Sequence, residues 1–441
     1  MTTNTYQVPC IANKIRAGKT ESPVYVSVPG SKSITNRALL IAALAEGESV
    51  LKGAMLSGDS RVFIECMRTL GIDIKENGDR HPSGNVDLTV NGCGGLFPSA
   101  AELNVGSAGT AARFLTAALG VSHGTYHLDS SDQMRKRPMA PLLAALNELG
   151  CGISFDHEAA HFPFTLSSDG FGKSRINIDI SDSSQFLSAL LISSVLSDRD
   201  LQIDVTGSHG MSYVDMTCAM MSDFGVPVHS SGHSFITGSG LHYTGRDYDI
   251  EPDASAAAYF YALAPVLGIR TGVRGIHHDS IQGDLEFIRA LTAMGCTGYE
   301  TETGMVLEPP ADGVIHGIDI DMSAFSDQAI TLACVAVYAD SPTTIRGVGH
   351  IRKQESDRLS GIATELGRMG ICTDMTDDSI TVYPSTPRPA IIKTYDDHRM
   401  AMGFTLTGLR TPGIAIDNPG CCSKTFENYY SVLEDLIKEI T

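Results

Sequence analysis

Glu65–Ile74 reads ECMRTLGIDI: the end of an amphipathic helix, a glycine, and an apolar run. Gly71 suits the left-handed position that closes a helix, and the apolar run after it reads as a strand. The pattern returns as LLAALNELGCGI over 142–153, CAMMSDFGVPV over 218–228, FIRALTAMGCTG over 287–298 and IATELGRMGICT over 362–373. A further helix of this type, YYSVLEDLIKEI, covers 429–440. The glycines at 71, 150, 225, 295 and 370 stand roughly 70–80 residues apart, so one unit of structure is repeated.

A second family of helices alternates with the first. It opens at Ser33 (SITNRALLIAALA), Ser107 (SAGTAARFLTAAL), Ser183 (SSQFLSALLISSV), Asp253 (DASAAAYFYALAPV), Ser326 (SDQAITLACVAVYA) and Asp397 (DHRMAMGFTLTGL). Ser and Asp at such positions are expected to cap the helix by accepting from its first free N–H groups. These helices are apolar nearly all round and rich in Ala, so they belong inside a domain. The first family carries more charge and is expected at the surface.

Six α/β units of this size fit two globular domains of three units better than one solenoid. The polar stretch GRDYDIEPD at 245–253 breaks the pattern and marks the crossing. The expected division is residues 31–252 against residues 253–441, with residues 1–30 joining the latter through a hinge at Val28–Gly30.

The 441 residues carry 32 basic and 51 acidic side chains, a net charge of −19. That balance disfavours nucleic-acid and membrane-surface partners. No stretch approaches the ~20 apolar residues of a membrane span, and the N-terminus lacks a signal peptide's apolar segment. Ten cysteines occur with no CxxC pair, which fits reduced thiols and a cytoplasmic protein, with neither zinc nor a disulfide scaffold.

Against this acidic background, cations gather at the capped helix starts. Lys32 and Arg37 bracket the first, Arg113 sits in the second and Arg399 in the sixth; Arg135–Arg137 form a run. The run alone reads as a solvated face. Lys32 and Arg37 differ, because a cation at a helix's positive end calls for an anion, and phosphate is the natural one. Asp327 on its own reads as a helix-dipole partner, and Glu355 and Asp357 as members of a surface ion network. Asp396 and Asp397 are adjacent and cannot face one ion from a regular helix, so a metal is not expected. No GxSxG elbow or Walker loop is present.

PGSKSITNRALLIAALAEG (29–47), GSAGTAARFL (106–115), SSQFLSALL (183–191), IRKQESDRL (351–359), YDDHRMAM (395–402) and CSKTF (422–426) occur in this order. Together they resemble the enolpyruvyl transferases, and most closely their shikimate 3-phosphate branch. The resemblance implies two inverse α/β domains, each of three βαβαββ units with buried parallel helices, and an active site in the interdomain cleft. It implies transfer of the enolpyruvyl group of phosphoenolpyruvate to the 5-hydroxyl of shikimate 3-phosphate, with release of phosphate and without metal or cofactor. Its partners would be those small molecules only, its state a monomer, and glyphosate an inhibitor at the phosphoenolpyruvate site.

Carried onto this sequence, the resemblance gives catalytic roles to Asp327, Glu355 and Lys32. Asp327 would take the hydroxyl proton, and Glu355 would exchange a proton at the methylene carbon. Shikimate 3-phosphate would meet Lys32, Ser33, Arg37, Ser183, Ser184, Gln185, Tyr213, Asp327, His350 and Gln354. Phosphoenolpyruvate would meet Lys32, Gly109, Arg137, Gln185, Arg358, Arg399 and Lys424. The chain departs from the family pattern at His350, usually Asn, and at Gln354, usually Lys; Lys353 or Lys32 would then supply the charge. The branch that uses UDP-N-acetylglucosamine normally carries a catalytic Cys in the loop that here spans 129–138, which contains none. An inactive phosphate-binding protein is the other alternative, opposed by the joint presence of Lys32, Asp327 and Glu355.

Overall fold

The computed structural model describes residues 5–16, 21–78 and 84–441. It divides into two compact units, Gly30–Ile250 and Met1–Pro29 with Glu251–Thr441.

Each repeat turns out to be a small mixed sheet with one buried and one surface helix. Arg175–Asp179 pairs in parallel with Leu201–Thr206, which pairs antiparallel with Ser234–Thr237, itself antiparallel to His229–Ser231. The parallel step encloses the buried helix Gln185–Ser194, and the surface helix Met211–Asp223 leads into the hairpin. The same order recurs with Ala100–Asn104, His123–Asp129, Phe164–Asp169 and Gly152–Phe155, and with Asp319–Asp321, Thr343–Arg346, Ser379–Tyr383 and Cys372–Met375. This is the βαβαββ unit, and antiparallel neighbours follow from its short hairpins.

Three sheets are completed from elsewhere in the chain. Asp247–Asp249, in the stretch read as a polar crossing, is an edge strand parallel to Glu46–Ala54. Val24–Val26 lies parallel to Thr271–Val273, and Thr5–Gln7 antiparallel to Ile414–Asp417 in a three-stranded sheet. Three-residue edge strands are too short to show an alternating pattern, which is why sequence periodicity misses them.

The apolar helices are buried as their composition demands. Every residue of Gly109–Val121 is buried, as are Ile34–Leu44 within Lys32–Leu44 and every residue of Ala329–Ala336. Small residues let these helices approach closely: a Cβ on Gly403 would lie 2.8 Å from Ile330 Cγ2. The five repeat glycines, 71, 150, 225, 295 and 370, all have φ between 79° and 112°, the closing conformation expected of them.

The caps differ from expectation at four helices. Ser31, not Ser33, caps the first, accepting from Ile34 N at 3.4 Å. Helix Gly109–Val121 starts after Ala108 and has no side-chain cap, so Ser107 lies one residue too far out. Ser183 likewise precedes the cap position, and Ser184, which occupies it, is already helical and makes no cap bond. Ser326 begins a 3-10 turn ahead of Ala329–Ala336. Asp253 and Asp397 do cap, accepting from Ala256 N and Arg399 N. Among the described residues no helix is long and apolar enough to cross a membrane.

Candidate active site

The expected site residues fall into two sets, one in each unit. In Gly30–Ile250 they gather at the starts of three buried helices. Lys32, the first residue of its helix, pairs with Asp59 at 3.0 Å. Arg37, one turn on, is buried; it donates to Thr217 Oγ1 at 2.7 Å, to Ser188 Oγ, and to the carbonyls of Ser33 and Tyr213. Its guanidinium also packs against the rings of Phe114 and Tyr213. Burial pulls its pKa down to about 10.

Arg113 and Arg137 meet over Gly109. A Cβ there would lie 2.5 Å from Arg137 Nη1 and 2.8 Å from Arg113 Nη1, so the space the missing side chain leaves is filled by guanidinium. Arg113 donates to Gln185 Oε1 at 2.8 Å and to the carbonyls of Gly109 and Pro138. Burial, and then the like charge on Arg137, push its pKa well down. Its hydrogen-bond acceptors are an amide and carbonyls, which do not neutralise it. Two cations beside helix ends without side-chain caps are chemistry that suits an anion. Ser183 Oγ accepts from Gln185 N at the neighbouring helix start.

In the other unit Arg358 is the centre. Its Nε donates to Asp397 Oδ2 at 2.8 Å, Nη1 to Asp327 Oδ1 at 2.9 Å, and Nη2 to Glu355 Oε2 at 2.7 Å. Around it, Arg399 Nη2 donates to Asp327 Oδ2 at 2.6 Å, and Lys424 Nζ lies 3.1 Å from Glu355 Oε1. His398 Nδ1 stands 3.3 Å from Glu355 Oε2. His350 reaches Ser326 Oγ at 2.7 Å. Gln354 Oε1 accepts from Arg358 Nη1, where a lysine would set two cations together. Lys353 is exposed.

Burial would raise the Asp327 carboxyl, but Arg399 and Arg358 outweigh it and hold it down at about 2. Asp397, fully buried, also stays below its ordinary value because Arg358 overcomes its desolvation. Arg358 is pushed up in turn: burial opposes its charge, and Asp397, Glu355 and Asp327 prevail. Glu355, Asp397 and His398 bring ligand atoms within 4.8 Å of one another, a spacing that suits a metal ion. Arg358 bonds both carboxylates there, so a guanidinium already supplies the positive charge.

Sequence reasoning passed over Asp59, which reads as an ordinary first-turn acid of helix Gly58–Thr69, and treated Arg113 only as a cation near a cap. It also gave no role to Asp397 beyond capping, although the fold puts that carboxylate against Arg358. The signal available was the density of charge in YDDHRMAM at the head of an apolar helix.

Comparison with known proteins agrees along the length of the chain. The family model for EPSP synthase (3-phosphoshikimate 1-carboxyvinyltransferase) matches residues 19–433. A 3-phosphoshikimate 1-carboxyvinyltransferase of Trichormus variabilis is 43% identical over 409 residues, covering 92% of this chain and 94% of that protein. One from Halalkalibacterium halodurans is 38% identical, covering 93% and 91%. The solved EPSP synthase of Acinetobacter baumannii superposes with TM-score 0.80 at 22% identity, over 98% of this chain and 97% of that one. An enolpyruvyl transferase of Streptomyces tendae superposes at 0.74 with 17% identity, over 96% of each chain. At such identities these two structures speak for the fold.

Proposed function

The chain belongs to the EPSP synthase family, and we propose on that premise that it joins phosphoenolpyruvate to shikimate 3-phosphate. The enolpyruvyl group would pass to the acceptor's 5-hydroxyl, and phosphate would leave. The observation that carries the proposal is one cluster in which three cations, Arg358, Arg399 and Lys424, hold two carboxylates, Asp327 and Glu355. An anionic enol ester needs the cations, and proton transfer at oxygen and carbon needs the carboxylates.

In the proposed course, Glu355 delivers a proton to the methylene carbon while Asp327 takes the proton of the 5-hydroxyl. The hydroxyl oxygen bonds to the central carbon, giving a tetrahedral ketal phosphate with a methyl group. The methyl then returns a proton to Glu355, the C–O bond to phosphate breaks, and the double bond reforms. Arg358, Arg399 and Lys424 neutralise the carboxylate and the departing phosphate. From the other set, Lys32 would touch both substrates, and Arg137 with Gly109 and Gln185 would hold phosphoenolpyruvate. Ser33, Arg37, Ser183, Ser184, Tyr213, His350 and Gln354 would receive shikimate 3-phosphate. Both sets would have to act on the same two ligands, with water excluded from the reacting atoms. No metal enters these steps. The substrates are small molecules, and the protein would work as a cytoplasmic monomer.

Phosphate release tests this directly. With both substrates, one phosphate is expected for each acceptor consumed. Release with UDP-N-acetylglucosamine in place of shikimate 3-phosphate would refute the assignment of the acceptor.

A further inference from the structure

Asp327 and Gln328 are consecutive residues of the 3-10 turn Ser326–Gln328, and the fold treats them differently. Asp327 is half-buried beside Arg358 and Arg399, whereas Gln328 is fully buried. Gln328 Nε2 donates to Asp284 Oδ1 at 3.2 Å and to the Ser255 carbonyl at 3.5 Å, and its Oε1 accepts from Thr331 Oγ1 at 3.3 Å. Both amide hydrogens and the amide oxygen are thus used. The amide can sit only this way round, because the carbonyl it meets can only accept. Deprived of these partners, it would be a buried polar group that no water relieves.

The partners are themselves fixed. Asp284 lies buried in the 3-10 turn Gly283–Leu285, and Ser255 is the second residue of helix Ala254–Tyr261. Gln282, at the head of that turn, accepts from Ala254 N at 3.0 Å and donates to the Pro252 carbonyl at 2.8 Å, which ties the helix start to the turn. Ser255 Oγ in turn accepts from Arg399 Nη2 at 3.4 Å, the nitrogen that also donates to Asp327 Oδ2. Carboxylate and cation are thereby referred to one frame, Asp327 through its neighbour Gln328 and Arg399 through Ser255.

We propose that Gln328 is a positioning residue for the general base. It ties the Asp327 turn to Asp284 and Ser255 and so sets where the carboxylate stands, both against the two arginines and after a substrate anion has drawn them away. An untied turn would let the carboxylate shift, which loosens its ion pairs in the free protein and misplaces the base during reaction. The side-chain bonds of Gln328 go to Asp284, Ser255 and Thr331 and not to the cations of the site, so rate suffers and affinity does not. The catalytic consequence rests on the proposed function.

The test uses the full chain with Gln328→Met, which keeps the length of the side chain and removes its hydrogen bonds. With phosphoenolpyruvate and shikimate 3-phosphate, kcat is expected to fall roughly tenfold or more while KM for each stays within about threefold. Asp284→Ala should act in the same direction, and Asp284→Asn, which keeps an acceptor for the amide, should recover most of the rate. A kcat within about twofold of the wild type in Gln328→Met would overturn the proposal, as would equal losses in the two Asp284 variants. A second measurement needs no substrate. The drop in urea midpoint caused by Asp327→Asn at pH 7 should shrink by about half or more in the Gln328→Met background, because the ion pairs are already loosened there. An equal drop in both backgrounds would overturn the proposal. If Gln328→Met does not fold, the Asp284 pair takes its place in both measurements. A wild-type protein that turns over neither substrate would instead count against the functional reading, and the urea comparison would still judge Gln328.

Discussion

Arg358 Nη1 lies 2.9 Å from Asp327 Oδ1, and the guanidinium is the more buried partner, 3% exposed against 20%. In the proposed reaction that same guanidinium receives phosphoenolpyruvate. Ligand and general base therefore compete for one cation, and for Arg399 as well. An Asp327 held at about 2 is a poor proton acceptor, and an anion that draws the arginines away makes it a better one.

Asp327→Ala should accordingly separate rate from affinity. Loss of the base is expected to lower kcat by roughly 10²-fold or more. Phosphoenolpyruvate should bind at least as tightly as before, because Arg358 and Arg399 are freed for it. Steady-state kinetics with calorimetric titration checks both. An unchanged kcat would return Asp327 to the role of a helix-end partner.

Acid stability follows from the same carboxyl. Its folded pKa of about 2 lies below the unfolded value of ~3.9, so it stabilises the fold above pH ~4 and loses that contribution as pH falls towards 2. Asp327→Asn should unfold at lower urea than the wild type at pH 7, and the gap should narrow below pH 4. A gap independent of pH would mean that Asp327 is not ion-paired in the folded protein.

Much of this arrangement was legible in the sequence, for definite reasons. A glycine after a helix and an apolar Ala-rich helix both leave strong periodic marks, so the repeat and the buried layer emerged correctly. Caps did not: a Ser one residue from the true cap looks the same in sequence, as Ser33 and Ser107 show. Contacts between distant segments leave no mark either. Nothing local pairs Asp397 with Arg358 or stacks Arg113 beside Arg137, and Gln354 looked like a lost charge until its carbonyl was found on Arg358.

Lys32→Met removes the charge that both substrates are expected to meet. Each charge-assisted hydrogen bond lost is worth ~1.5–3 kcal/mol, so two or more should depress kcat/KM by at least ~10²-fold. Circular dichroism should be unchanged, because Lys32 opens its helix and Ser31 still caps it. Activity within tenfold of the wild type would remove Lys32 from the site.

Gly109→Ala should act through Arg137. The new methyl would displace the guanidinium that lies 2.5 Å away, at the far end of a flexible side chain, so the fold should survive. The KM for phosphoenolpyruvate is expected to rise about tenfold, the worth of one weakened charged contact, while that for shikimate 3-phosphate changes little. Equal effects on both substrates would place Gly109 away from the phosphoenolpyruvate position.

Turnover in D2O, followed by proton NMR, examines the proposed chemistry itself. With phosphoenolpyruvate and shikimate 3-phosphate together, the account predicts inorganic phosphate and an enol ether on the acceptor, its vinyl methylene partly deuterated. The label would enter because the methylene carbon gains a proton from an exchangeable acid and later loses one. Phosphoenolpyruvate consumed without the acceptor, or an enol ether formed with no deuterium at the methylene, would contradict it.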